Sequence, residues 1–462
     1  MRRKGFCKLT ALLLSAVMLT GCASSKKKKE EALADYALCE HIVSIDTGAG
    51  TISDNAVLDV DGFYVVKDNV YANADSLNIR MAPSTDSKLV TIAPYGTRLQ
   101  RTGIGQEGWD RVEYEGDVCY VTHSLVTVVP IQSSKTFEFS TVALSIVETK
   151  RQQYTYDDLC QDVAALREAF GSKMKLNSIG FSADNRSIFE IVIGSNNAKK
   201  DIYYVAGLCG AEYMTSMVIM KQVEYYLHYY DAGYYNGYAF SDLFENVRVH
   251  VIPMLNPDSV QVSQLLLQGV SDTRLKTQLK EWYDRDQSSG GINLNLENYL
   301  RFFNANAEGT DLRRNFPYQW DLANTVPEPA STGFRGKSEG SSAEVKAILN
   351  SISKNNPSIV VAYHTTGSKI YYQYSQRDDV LSKAKSYGYT LSKMMTYELS
   401  EKKMAEDGYG TLAGYCNNVA SIPALTINLG NGSAPLSLSE FNAIWNALRD
   451  SWAELQVTMI EW

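Results

Sequence analysis

The sequence predicts a small all-β barrel followed by an α/β domain, in which a mixed central sheet carries helices on both faces. Three observations lead there. Residues 70–128 are short apolar runs punctuated by Gly, Pro, Asn and Asp, the pattern of strands and tight turns. Beyond residue 152, runs rich in Val, Ile and Tyr alternate with runs of helical period, as in sheets flanked by helices. Between two such runs lies YYVAGLCGAE (203–212), a buried-strand pattern that gives way to Met214, Met217, Val218, Met220, Val223 and Leu227 at helical spacing. Cys209 and Glu212 stand three residues apart where strand passes into helix, so both side chains can enter one cleft, a common way of delivering paired metal ligands.

Taken in order, the chain starts with MRRKGFCKLTALLLSAVMLTGC. A basic start precedes an apolar run, Leu9 to Leu19, that is too short to span a bilayer, so residues 1–21 read as a signal segment. Leu19-Thr20-Gly21-Cys22 resembles the bacterial lipoprotein cleavage box. That resemblance implies a lipidated Cys22, a membrane anchor and an extracytoplasmic location. Loss of Arg2, Arg3, Lys4 and Lys8 with the signal takes the net charge from −8 to −12, and so acidic a body argues against nucleic acid as a partner. Lys26 to Lys29 would then follow the anchor directly, either lying against anionic headgroups or solvated as a tether. Cys39, Cys119, Cys160, Cys209 and Cys416 remain after Cys7 and Cys22. Five is odd and fixes no disulfide framework.

Residues 22–69 read as a tether with short strands, 70–128 as the β domain, 129–151 as a linker and 152–462 as the α/β domain. The β domain carries Leu77-Asn78-Ile79-Arg80, Ala82-Pro83-Ser84, Gly96-Thr97, Gly108-Trp109 and Tyr120-Val121. These resemble the bacterial SH3-like domain, often a binder of cell-wall peptides, with Cys119 at a position where the family has Gly. Core packing is the expected role of Trp109 and Tyr120. In QYTYDDLCQDVAALREAF (153–170), Thr155 precedes a helical stripe of Leu159, Val163, Leu166 and Phe170, the signature of a capped amphipathic helix.

Five stretches of the α/β domain resemble the zinc carboxypeptidase family (carboxypeptidase A-like). They are Cys209 to Glu212 against His-x-x-Glu, Asn256-Pro257-Asp258, FNANAEGTDLRRNFP (303–317), SIVVAYHTTGSKIYY (358–372) with His364, and IPALTINLG (422–430). The resemblance implies a zinc held by three protein ligands, which polarises a scissile carbonyl and acidifies a water. It also implies a carboxylate base beside the metal, and arginines that grip the substrate's terminal carboxylate.

Departures gather at the chemical positions. Glu212 and His364 match the family's metal ligands, but Cys209 replaces the first histidine. It is either a thiolate ligand in a Cys/Glu/His zinc site or a small buried residue in a vacated one. Asn428 stands where the family has its catalytic Glu, and an amide takes no proton near neutral pH. Arg314 matches the arginine of the family's Asn-Arg pair, whereas Arg313 replaces the Asn. Arg301 and Tyr409 are further candidates for substrate binding, the latter as the family's mobile phenol. Glu440 has no spacing that brings it to the cleft. The leading expectation is a surface lipoprotein that recognises peptide C-terminal ends, peptidoglycan stem peptides above all, with impaired or absent catalysis and with zinc either bound or dispensed with. The alternatives are an active metallocarboxypeptidase with a Cys209/Glu212/His364 metal site, and a non-catalytic wall-tethering protein.

Overall fold

The computed structural model describes residues 57–128 and 143–461, apart from positions 75, 95, 106, 152, 291 and 292. It also describes residue 140 and the backbone of two short paired strands, β1 (Ile42–Val43) and β2 (Thr51–Ile52). The chain divides into two compact units, residues 1–136 and 137–462. Cys22 and the expected signal segment lie outside the described residues. Among the described residues no helix is long and apolar enough to cross a bilayer.

In the first unit, β3 (Phe63–Ala72), β4 (Ser76–Arg80), β5 (Leu89–Pro94), β6 (Arg98–Gly105), β7 (Trp109–Tyr114), β8 (Asp117–Thr122) and β9 (Val126–Thr127) form one antiparallel sheet. Its order is β5-β4-β8-β7-β6-β3-β9. The sheet takes in residues ahead of position 70, because β3 pairs with β6 from Phe63 onward. Val70, Leu77, Ile79, Leu99, Val112, Cys119 and Val121 pack that core. Trp109 and Tyr120 sit half-buried outside it, the latter 5.6 Å from the ring of Phe63.

The second unit is the expected α/β domain. Its sheet is built from β10 (Met174–Phe181), β11 (Ser187–Ile193), β12 (Lys200–Val205), β15 (Val247–Ile252), β16 (Ile359–Thr365), β17 (Lys369–Tyr371), β18 (Glu398–Ser400) and β19 (Ala424–Leu429). A small hairpin, β13 (Tyr234–Tyr235) with β14 (Tyr238–Ala239), stands apart. The sheet order is β10-β11-β15-β12-β16-β19-β17-β18, with β15, β12, β16 and β19 parallel at its centre. Alternate residues of the central strands enter two cores. Ile202, Tyr204, Val361 and Ile427 pack on one face, and Tyr203, Val205, Val360 and Ala424 on the other. Burial on both faces is why these strands read as unbroken apolar runs. Thr155 caps the helix Tyr156–Phe170 through a reciprocal box with Asp158.

After β12 the chain turns tightly through Gly207 (φ +62°) and Gly210 before the helix Met214–His228 begins. Gly210 donates its N–H to Ser259 Oγ at 2.9 Å. A Cβ there would lie 2.2 Å from the Ser259 carbonyl and 2.6 Å from that of Phe303, so only glycine permits this approach. The Asn256-Pro257-Asp258 turn holds the same region. The Asn256 side chain caps the helix Pro257–Leu265 through Ser259 N–H and donates to the Leu208 carbonyl at 3.1 Å. Asp258, fully buried, accepts from Ser182 Oγ, Asp184 N–H and Arg186.

A charged cluster lies in the sheet away from that turn. His250 sits 3.0 Å from Glu190 and 3.3 Å from Asp201, and stacks on Tyr203. Arg248 makes two hydrogen bonds to Asp201. Burial works to lower the His250 pKa, but the neighbouring carboxylates of Asp201 and Glu190 outweigh it and hold the imidazole above its ordinary range. Since a raised histidine stabilises in its protonated form, the stabilisation is complete below about pH 6.5 and is lost as pH climbs through the folded-state value. Urea midpoints should therefore fall on the alkaline side, and His250→Asn should flatten that fall; an unchanged profile would contradict the assignment. Gly210→Ala should cost about 2 kcal/mol or more in a denaturant titration, because backbone rather than side chain must yield.

Candidate active site

The site forms at the C-terminal ends of parallel strands, where open α/β sheets place their crevices. β16 delivers His364 and its neighbour β19 delivers Asn428, paired in register, so both side chains leave the same face. Cys209 and Glu212 come from the turn after β12. Ligand atoms of Cys209, Glu212 and His364 all lie within 4.8 Å of one another. His364 Nδ1 and Glu212 Oε2 are 2.7 Å apart. Glu212 is 6% exposed and Cys209 not at all, while the imidazole faces a cleft of about 260 Å³. The cleft is also lined by Arg313, Arg314, Tyr374, Asp407, Thr426 and Asn428.

Electrostatics set the character of this pocket. Burial pushes the Cys209 thiol well above its ordinary pKa; the charge of Arg313 opposes that push, whereas Glu212 and Asp311 add to it. Arg313 follows the buried Asp311 by two residues and is fixed to it by bonds of 3.0 Å from Nε and 2.9 Å from Nη2. Asp311 also accepts from Thr332 Oγ1 and Gly333 N–H. Burial pushes its carboxyl up, but Arg313, the Gly333 N–H and the charge of Arg314 bring it down to about 2. Arg314 lies 3.9 Å from Asp311, and its Nε is buried without a hydrogen-bond partner among the described residues. Asn315 ties the following loop by donating to the Arg335 and Ser338 carbonyls.

The structure thus brings Cys209, Glu212, His364, Arg313, Arg314 and Asn428 together. Two expected residues stay out of the cleft. Arg301 turns back along its own short helix, Leu296–Arg301, to Glu297 at 2.8 Å, and lines a separate depression with Arg151 and Tyr213. Tyr409 packs edge-on against Tyr318 with ring centroids 6.0 Å apart, and does not line the cleft. Glu440 accepts the N–H groups of Asn431 and Gly432, holding a turn. Four residues here went unassigned from sequence. Asp311 had a signal in its Asp-x-Arg spacing. Thr426, joined to Tyr374 by a 2.6 Å hydrogen bond, lay within the IPALTINLG stretch; Tyr374 and Asp407, the latter paired with Lys402 at 2.6 Å, had no signal.

In kind and spacing the donors fit zinc, since thiolate, carboxylate and imidazole are its usual ligands. What is missing is a proton acceptor where β19 passes the site. Asn428 instead donates through Nδ2 to the Thr366 carbonyl at 3.0 Å.

A zinc carboxypeptidase family model matches residues 159–446. Over 299 residues the chain is 27% identical to gamma-D-glutamyl-L-diamino acid endopeptidase 1 of Lysinibacillus sphaericus, spanning 64% of this chain and 70% of that protein. It is 25% identical over 301 residues to YqgT of Bacillus subtilis (strain 168), spanning 64% and 76%. Among solved structures, thrombin activatable fibrinolysis inhibitor superposes with a TM-score of 0.54 over 76% of this chain and 90% of that one, at 13% identity, a likeness of fold. The matched span includes the strands and turns that carry Cys209, Glu212, Arg313, Arg314, His364 and Asn428, and the chain belongs to the zinc carboxypeptidase family.

Proposed function

We propose that the α/β domain recognises the carboxylate ends of peptides, with peptidoglycan stem peptides as the favoured class, and that hydrolysis is impaired or lost. The observation that carries this reading is the amide of Asn428, placed beside His364 and engaged with a backbone carbonyl. Losing a general base alone forfeits roughly 10²–10⁴ in rate. Cys209, Glu212 and His364 would hold zinc, which when bound supplies Lewis acidity toward a carbonyl and lowers the pKa of a water. Arg314 presents its fork to an anionic end, and Arg313 adds positive charge beside it. Tyr374 and Thr426 close one wall. The stem-peptide class draws on the name of the Lysinibacillus relative and on the SH3-like motifs of the first unit. Lipidation at Cys22 and an extracytoplasmic, membrane-anchored location belong to the same proposal.

A second reading, a working metallopeptidase, is favoured by one observation. The Asp407 carboxylate lines the cleft and could replace the missing base. Its ion pair with Lys402 and its exposure argue for a surface role instead. Turnover that vanishes in Asp407→Asn would establish the second reading.

The first reading is tested by calorimetric titration of a stem-peptide fragment with a free C-terminus and of its C-terminally amidated form. Binding of the free acid only, weakened about tenfold to a hundredfold by Arg314→Ala, is expected for a charge-assisted hydrogen bond. Equal binding of both forms would refute recognition of the terminal carboxylate.

A further inference from the structure

We propose that the depression walled by Arg151, Gln264 and Arg301 is a second subsite, which takes an acidic residue that precedes the C-terminal end of a bound peptide. The inference rests on the recognition of peptide ends by the cleft. At about 570 Å³ the depression is larger than the cleft, about 260 Å³, and two elements line both. Glu212 lines the cleft and Tyr213, next in the chain, the depression. Asn428 on β19 lines the cleft and Pro435, beyond the same strand, the depression. A peptide seated by its end can therefore run past Glu212 into the second hollow.

Three groups there have donors to spare. Gln264 is 6% exposed, yet its side-chain amide makes no hydrogen bond among the described residues; only its backbone carbonyl is engaged, by Gln153 Nε2 at 3.1 Å. Buried amides are nearly always partnered, so an open one on a cavity wall points to an external partner. Arg301 uses Nε and Nη2 on Glu297, and Arg151 uses Nη1 on Asp158. Their remaining guanidinium nitrogens have no protein partner among the described residues.

The acids already present leave these donors open. Asp158 is taken by Arg151 and by the N–H and hydroxyl of Thr155 in the helix cap. Glu297 and Arg301 form a pair four residues apart on one helix, 57% and 43% exposed, the kind that contributes little and exchanges readily. A ligand carboxylate fits the open donors, since its two oxygens match a guanidinium fork. One carried on the chain whose end already lies in the cleft arrives at high effective concentration, which favours an acidic peptide over a free anion. Arg151, in the stretch expected to be linker, becomes part of the binding surface.

The test is calorimetric titration of the full chain with peptides that keep a free C-terminus and carry either glutamate or glutamine at the second, third or fourth residue from the end. At one or more positions glutamate should bind about tenfold more tightly than glutamine, the low end for hydrogen bonds to a charged group because both arginines are partly exposed. That advantage should shrink in about 1 M salt. Arg301→Gln should reduce it to a few-fold or less and leave the glutamine peptide's affinity unchanged, whereas Arg301→Glu should turn it into a penalty. Equal binding of glutamate and glutamine peptides at all three positions, or an advantage that survives Arg301→Glu, would overturn the proposal. The glutamine peptide with an amidated C-terminus separates the two readings: undiminished binding refutes recognition of the end, whereas loss of binding upholds it whatever the glutamate ratio.

Discussion

Glu212 and His364 are 152 residues apart in sequence and 2.7 Å apart in space. Their meeting depends on two features of the fold: parallel pairing of β12 with β16, and a turn after β12 tight enough to bring Glu212 back over the strand end. The first follows from apolar runs buried on both faces. The second requires glycine at position 210, where the Ser259 and Phe303 carbonyls occupy the space a Cβ would take. Asn256 braces that turn through the Leu208 carbonyl, while Asp258 holds residues 182–186, so these scaffold motifs act on chemistry they never touch.

Around this pair the pocket is a problem in charge. A buried thiol, a buried carboxylate and an imidazole can hold a divalent ion, yet the same groups lie in the field of an arginine fastened to Asp311. Burial raises the cost of uncompensated charge; Glu212 meets His364, and Arg313 is held by Asp311. Arg314 differs: its counter-ion is 3.9 Å away and its Nε is unpartnered, which leaves it the better placed of the two to take an external anion. At Asn428 the pocket lacks the means to move a proton.

Much of this was legible in sequence, and the exceptions share a cause. The apolar runs at 203–206 and 359–363 specify strands because burial on both faces leaves no other pattern. The register of β16 against β19 puts His364 and Asn428 on one face. Sequence could not tell where a long side chain would come to rest. Arg301 found Glu297 four residues back on its helix, a pairing the spacing in LENYLR already offered. Tyr409 found an aromatic neighbour in Tyr318. Asp311 was visible in the Asp-Leu-Arg-Arg run, but its burial, which turns a local turn into an anchor for Arg313, is a tertiary fact. The extension of β3 ahead of residue 70 came likewise from its pairing with a distant strand, β6.

The central claim is that the frame of a peptidase persists here without its proton acceptor. The most direct measurement is the rate at which the purified, zinc-supplemented chain hydrolyses a stem peptide, compared with Asn428→Glu. The account predicts an intact peptide with wild type, and a rate higher by about 10² or more once the carboxylate is present. Wild-type hydrolysis that is abolished by Glu212→Ala and not increased by Asn428→Glu would contradict it.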